Sequence, residues 1–196
     1  SGATRADELN EALRAPVDAQ VRYVRDSVAG IRQDMRGYGD ERWDDPVRLD
    51  VEAEVLLQNE RYVSVRYDNQ PRLGLLSDSS WQNYSTVTVD LGTGEALTPD
   101  EVFRPGSAGN LHDVLVENEQ VAACQDSMTG EVQLELTQED LGESVLVAFT
   151  RDHASFTVEL ANLGGYTVCG TPIVDVPYDE LTEVLDPALV DKLRAG

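Results

Sequence analysis

Residues 85–106, "STVTVDLGTGEALTPDEVFRPG", hold a strand, a turn and a helix start in one continuous run. Val87, Val89 and Leu91 alternate with Thr88 and Asp90, which is the period of a half-buried strand, and the "GTG" at 92–94 reverses the chain after it. Thr98 and Glu101 have the spacing of a capping box. Pro99 falls at the first helical position, where its missing amide hydrogen costs nothing. Val102 and Phe103 give the helix an apolar contact, and "RPG" disfavours its continuation. The unit is fully specified as structure and contains no evident catalytic group, so its meaning depends on what the flanking chain builds around it.

Upstream, Leu9, Leu13, Val17, Val21, Val24, Val28 and Ile31 recur every three or four positions, one stripe of an amphipathic helix spanning Ala6 to Met35. Pro16 should start, kink or divide that helix, because an interior proline loses a hydrogen bond and clashes with the preceding turn. "GYGDERWDDP", 37–46, reads as a loop. The period then switches to two: Leu49, Val51, Ala53, Val55 and Leu57 face one way, while Asp50, Glu52 and Glu54 face the other. A tight turn at Asn59-Glu60 leads into a second strand carrying Val63, Val65 and Tyr67. The segment 69–84, "NQPRLGLLSDSSWQNY", holds more hydrophobic mass than a plain linker and reads as a partly ordered loop or an interrupted strand.

Downstream, Leu111, Val114, Leu115 and Val121 suit a helix packed on a sheet. "VLVAFTRDHASFTVEL" reads as a hairpin, with Val145, Val147 and Phe149 on one arm and Phe156, Val158 and Leu160 on the other. A last strand ends at Pro177, and "DPALVDKL" is a final short helix with Asp186 as its cap. Strand runs between separated helices predict an α+β fold, a mostly antiparallel sheet packed against helices in two closely associated subdomains, 1–84 and 85–196. Residues 49–67 should form a hairpin. The segments 86–91, 145–150 and 155–160 should share one antiparallel sheet of at least five strands.

With 196 residues, 41% of them hydrophobic, the chain can bury a real core. It contains no apolar run long enough to span a membrane and no leader-like amino-terminal segment. The net charge is -22, and it is uneven: residues 1–72 carry 11 basic and 15 acidic side chains, residues 73–196 carry 4 and 22. Such a field repels phosphate backbones and anionic membranes, which argues against nucleic acid as a partner and leaves cationic partners open. Cys124 and Cys169 stand 45 positions apart, fitting neither a redox CxxC pair nor a zinc site. Two arrangements remain: one disulfide in an exported protein, worth about 4 kcal/mol on the chain-entropy model, or two buried thiols in the cytosol.

Only His112 and His153 are available as near-neutral bases, and neither has a partner motif. Nucleophile elbow, zinc-protease, P-loop and dinucleotide fingerprints are all missing, so no catalytic, metal or cofactor site is expected. The aromatic residues Tyr67, Trp81 and Tyr84 flank the 69–84 segment, and Tyr166 sits among glycines. They are the candidate partner-binding residues, because such side chains bury large area at modest entropic cost.

The strand ending at Asp90, "TGE", the "LTPDEVF" helix start, Phe149 with Phe156, the Gly-Tyr loop at 165–166, Gly170 and "VPYDEL" resemble, in order and spacing, the carboxy-terminal domain of the RsiV-like ectodomain family. That family occurs in bacterial anti-sigma factors, in some cell-wall deacetylases as a non-catalytic companion, and in a mycobacterial secreted immunogenic protein. The amino-terminal helix with "VEAEVLLQNERYVSVRYDN" looks like the smaller domain that accompanies it. Where members often carry Gly-Gly-Ala-His this chain has "PRLGLLSDSSWQNY", and it lacks the sigma-binding segment and membrane span of the anti-sigma members. The resemblance implies export, to a secreted or envelope-attached position outside the membrane, and favours the disulfide arrangement. It also implies a non-enzymatic binding or sensing role, with a basic lysozyme-like protein as the partner class. The alternative is a secreted cell-wall glycan hydrolase or its accessory domain.

Overall fold

The computed structural model describes residues 2–35, 47–72, 83–119, 121–122, 135–164 and 169–195, with side chains of the first helix described from Arg5 to Gln33. The fold is α+β. Helix α1 (Gly2–Met35) precedes the meander β1 (Arg48–Gln58), β2 (Tyr62–Arg72) and β3 (Asn83–Asp90). Helices α2 (Pro99–Val102) and α3 (Ala108–Val116) come next, then a second meander of β4 (Val145–Phe149), β5 (His153–Val158) and β6 (Ile173–Pro177), and finally helix α4 (Pro187–Arg194). Both sheets are antiparallel and three-stranded, ordered β1-β2-β3 and β4-β5-β6.

The expectation that 86–91 shares a sheet with 145–150 and 155–160 is therefore corrected. β3 pairs with β2 through Val63↔Val89 and Val65↔Val87, so the first sheet runs on past residue 84. Alternation reports which face of a strand is apolar and is silent on which neighbour completes its hydrogen bonds.

Helix α1 lies across the odd-numbered face of the first sheet. Leu9, Ala12, Leu13 and Val17 pack on Val65, Tyr67, Val87 and Val89, while Val24 and Val28 pack on Val47 and Leu49. Pro16 sits inside this helix without dividing it. Burial on both sides of the proline, against one continuous sheet, offsets the roughly 3 kcal/mol that an interior proline costs. The Tyr67 hydroxyl donates to the Leu13 carbonyl at 2.7 Å, and Arg5 donates to the carbonyls of Leu91 and Gly92, which fixes the first half of the helix to the sheet.

One irregularity sets the edge of that sheet. The register moves from Val55↔Val65 to Leu57↔Ser64, leaving Leu56 as a bulge residue. The period-two reading put Val55 and Leu57 on one face. The bulge separates them, so Leu57 is 5% exposed in the main core and Val55 is 58% exposed. Pro71 is tolerated on β2 because pairing with β3 has already ended at Asn69↔Asn83, so no ladder donor is missing there.

The main core lies between the second sheet and the helices before and after it in the chain. It gathers the chain's three phenylalanines, Phe103, Phe149 and Phe156, with Leu111, Leu115, Leu181, Leu185 and Leu193, and takes in Leu57 and Tyr62 from the first sheet. The local helix signals appear as read: Glu101 accepts from the Thr98 amide at 2.8 Å, and Asp186 caps α4 by accepting from the Leu189 amide at 3.0 Å. A second box, Thr137 with Asp140, opens the 3₁₀ turn before β4. At the tip of the β1–β2 hairpin Asn59 does two jobs. Its Oδ1 accepts from the amides of Arg61 and Tyr62, and its Nδ2 donates to the carbonyl of Leu193 at 3.2 Å, satisfying an end of α4 that the helix cannot satisfy itself.

Candidate functional site

The even-numbered face of the first sheet faces the second, and the contact is polar. Ser64 and Thr88 are buried opposite each other, hydroxyl to hydroxyl at 2.8 Å, and Ser64 Oγ also accepts from the Phe149 amide of β4 at 2.8 Å. One pair further along, Arg66 stands opposite Glu54 and Thr86. Its side chain is 14% exposed. It donates to Glu54 Oε2 at 2.7 Å and to Ser155 Oγ of β5 at 3.0 Å, joining the two sheets through one guanidinium. Small hydroxyl side chains let the strands approach closely, and each buried hydroxyl here must find a partner or cost about 1–3 kcal/mol. Nothing in the sequence marks this seam, because serine, threonine and arginine ordinarily read as surface.

Beyond Arg66 the same face opens to solvent and turns acidic. Glu52 stands directly opposite Asp68, which stands opposite Tyr84. Asp50 is paired with Arg72 at 2.7 Å, both side chains being more than half exposed. Asp68 also accepts from Gln70 Nε2 at 3.3 Å, and with Glu52 and Asp50 it makes this end of the face rich in carboxylates. The Tyr84 hydroxyl has its pKa raised by burial and by the negative charge of Asp68, against an opposing pull from Arg66, so it stays a neutral donor at physiological pH.

Of the four aromatic candidates, Trp81 and Tyr166 lie outside the described residues. Tyr84 belongs to the acidic face. Tyr67 is 7% exposed and committed to the helix–sheet contact, with its hydroxyl pKa raised by burial. Cys169 packs on the rim of the main core and is not a free thiol, whereas Cys124 lies outside the described residues.

The two histidines sit apart. His112 on α3 contacts Asp113 at 3.2 Å, and His153 Nε2 is 3.6 Å from Asp175 Oδ1. Ser155 follows His153 by two positions on β5 and pairs with Asp175, so a serine, a histidine and an aspartate share one face. They do not form a catalytic relay as placed. The Ser155 hydroxyl is buried and bound by Arg66, and His153 is too far from Asp175 for a hydrogen bond that would orient it. Among the described residues no group of three or more His, Cys, Asp or Glu side chains is placed to hold a metal. Two concavities flank α1. A cleft of about 290 Å³ is lined by Ala12, Pro16, Val87, Leu97, Val147 and Phe149. A groove of about 630 Å³ runs between Val24, Val28 and Leu49, with Arg25 and Arg32 at its rim.

No protein-family model matches the chain, and no curated protein matches it. Solved structures do. A crystal structure of a member of the DUF3298 family from Bacteroides fragilis aligns with a TM-score of 0.51 at 16% identity, covering 92% of this chain and 74% of that one. A DUF3298 family protein from Pseudomonas aeruginosa covers 78% of this chain and 69% of its own, at 16% identity and a TM-score of 0.48. The first likeness shows a shared fold, on which unrelated functions can be built.

Proposed function

We propose that this chain is an extracytoplasmic binding or sensing domain that acts by surface recognition and not by turnover, and that its partner is a basic cell-wall-active protein of the lysozyme kind. The observation that carries the reading is charge. A net -22, concentrated after residue 72, raises the encounter rate with cationic proteins and lowers it with anionic ones. The motif resemblance to RsiV-like ectodomains supports the compartment and the partner class, and the DUF3298 fold likeness is consistent with it. The alternative is a cell-wall glycan hydrolase or accessory domain, and the shared face of Ser155, His153 and Asp175 does not favour it, because glycoside hydrolysis uses a pair of carboxylates and the Ser155 hydroxyl is buried against Arg66.

Titration calorimetry against lysozyme at low and at physiological salt decides between specific recognition and charge attraction. Specific recognition predicts binding that weakens with salt, as exposed charges are screened beyond about 8 Å, yet persists at 0.15 M and drops at least about tenfold in Tyr84→Ala. Binding that vanishes at physiological salt and ignores Tyr84 would leave only non-specific attraction. Turnover of peptidoglycan fragments that is lost on changing the partly exposed His112 or His153 would establish the hydrolase instead.

Export also implies that Cys124 and Cys169 are joined. The state of Cys169, which is not a free thiol, supports this. Protein from an oxidising compartment should show a non-reducing mass two hydrogens below the reduced form, and reduction should cost about 4 kcal/mol of stability. Two alkylatable thiols in the unreduced protein would refute the pairing.

A further inference from the structure

We infer that the free edge of β1 is a strand-addition site for an extended basic segment, one in which lysine or arginine alternates with apolar residues. The inference rests on the reading of the chain as a recognition domain and adds to it a surface and a binding mode. β1 is eleven residues long and pairs only with β2, so among the described residues the backbone donors and acceptors on its other edge have no strand partner. Such edges are templates for another strand, and proteins usually blunt them. Here one side of the edge is not blunted: Ala53 and Val55 are exposed, and Val55 at 58% is the most exposed of the large hydrophobic side chains described.

The other side of the edge selects the occupant. Asp50, Glu52 and Glu54 project at alternate positions on the opposite face, and all three are exposed. Asp50 and Glu54 have arginine partners on β2, whereas Glu52 faces Asp68, which accepts from Gln70 Nε2 at 3.3 Å. An incoming strand about 4.8 Å away would set its own alternate side chains beside these carboxylates, and a cation there would pair with the exposed Glu52. Self-pairing of two β1 edges in antiparallel register brings the same carboxylates of two copies together. The stripe therefore discourages a second copy and favours a cationic strand of matching period.

The probe is an acetylated, amidated peptide of sequence Lys-Val-Lys-Val-Lys-Val, set against Lys-Lys-Lys-Val-Val-Val, which has the same charge and the wrong period. The expected result is binding of the alternating peptide about tenfold tighter than the block peptide, with new hydrogen-exchange protection at alternate amides between Asp50 and Leu56. Glu52→Lys and Val55→Asp, both at exposed positions, should each weaken that binding about tenfold, and Glu52→Lys should do so without lowering the thermal midpoint, since it places a lysine opposite Asp68. Equal affinity for the two peptides, or binding without protection in β1, would overturn the inference. So would β1 protection that rises with protein concentration alone, since it would mean that a second copy occupies the edge. If lysozyme binds while β1 stays unprotected and indifferent to Glu52→Lys, this inference fails and the recognition reading stands. If the peptide binds at β1 and lysozyme does not, the partner class proposed above fails instead.

Discussion

Phe156→Ala should lower the free energy of unfolding by about 3–5 kcal/mol, the range for deleting a buried aromatic ring. Phe156 is fully buried on β5, the central strand of the second sheet, directly opposite Val147 on β4 and Val174 on β6. Paired strands hold it on both sides, so most of the void left by the ring should persist. A domain of this size has only about 5–15 kcal/mol of stability in total, and the substitution removes roughly a fifth of it or more. Urea denaturation should show a lower midpoint with an unchanged slope, while Val55→Ala on the exposed edge stays within about 0.5 kcal/mol of the parent. A loss below about 1 kcal/mol in Phe156→Ala would mean that the second sheet and its helices do not share one close-packed core.

Gly142→Ala should cost about 2–4 kcal/mol, from two sources that can be measured separately. Gly142 has φ of +91°, where a side chain strains the backbone by about 1–2 kcal/mol. A Cβ there would also sit 2.6 Å from Cγ of Pro99, the residue that opens α2, so the strand β4 and the capped helix of the opening sequence cannot both hold their places. Pro99→Ala in the same chain removes the collision and leaves the backbone strain. The double-mutant cycle should give a coupling of about 1–2 kcal/mol between the two positions. Coupling under about 0.5 kcal/mol would show that α2 and the turn before β4 are not in contact.

What could be read from the sequence was whatever depends on near neighbours in the chain. The Thr98–Glu101 box, the Asp186 cap, the amphipathic stripe of α1 and the β1–β2 hairpin all rest on spacings of a few residues, and all are present. The bulge at Leu56 escaped, because inserting one residue into an alternating run changes the face of Leu57 without changing the pattern of residue types. The partner of β3 escaped because hydrogen-bond pairing leaves no periodic trace. The candidate site was the least legible part. Tyr67, read as a surface aromatic, belongs to the helix–sheet contact, whereas the seam through Ser64, Arg66 and Ser155 joins residues 89 positions apart whose polarity disguises their burial.

The double role of Asn59 bears on how the chain comes to be folded. Its carboxamide closes the hairpin and also holds the carbonyl of Leu193, 134 positions later. At roughly 5–20 residues per second, a ribosome delivers the second half of that contact on the order of ten seconds after the first. Leu57 and Tyr62, beside the same tip, wait equally long for the core they enter. The amino-terminal sheet therefore cannot reach its final state during its own synthesis. Closing so long a loop comes late and raises the folding barrier. The tip of the β1–β2 hairpin is therefore among the last parts of the fold to be completed.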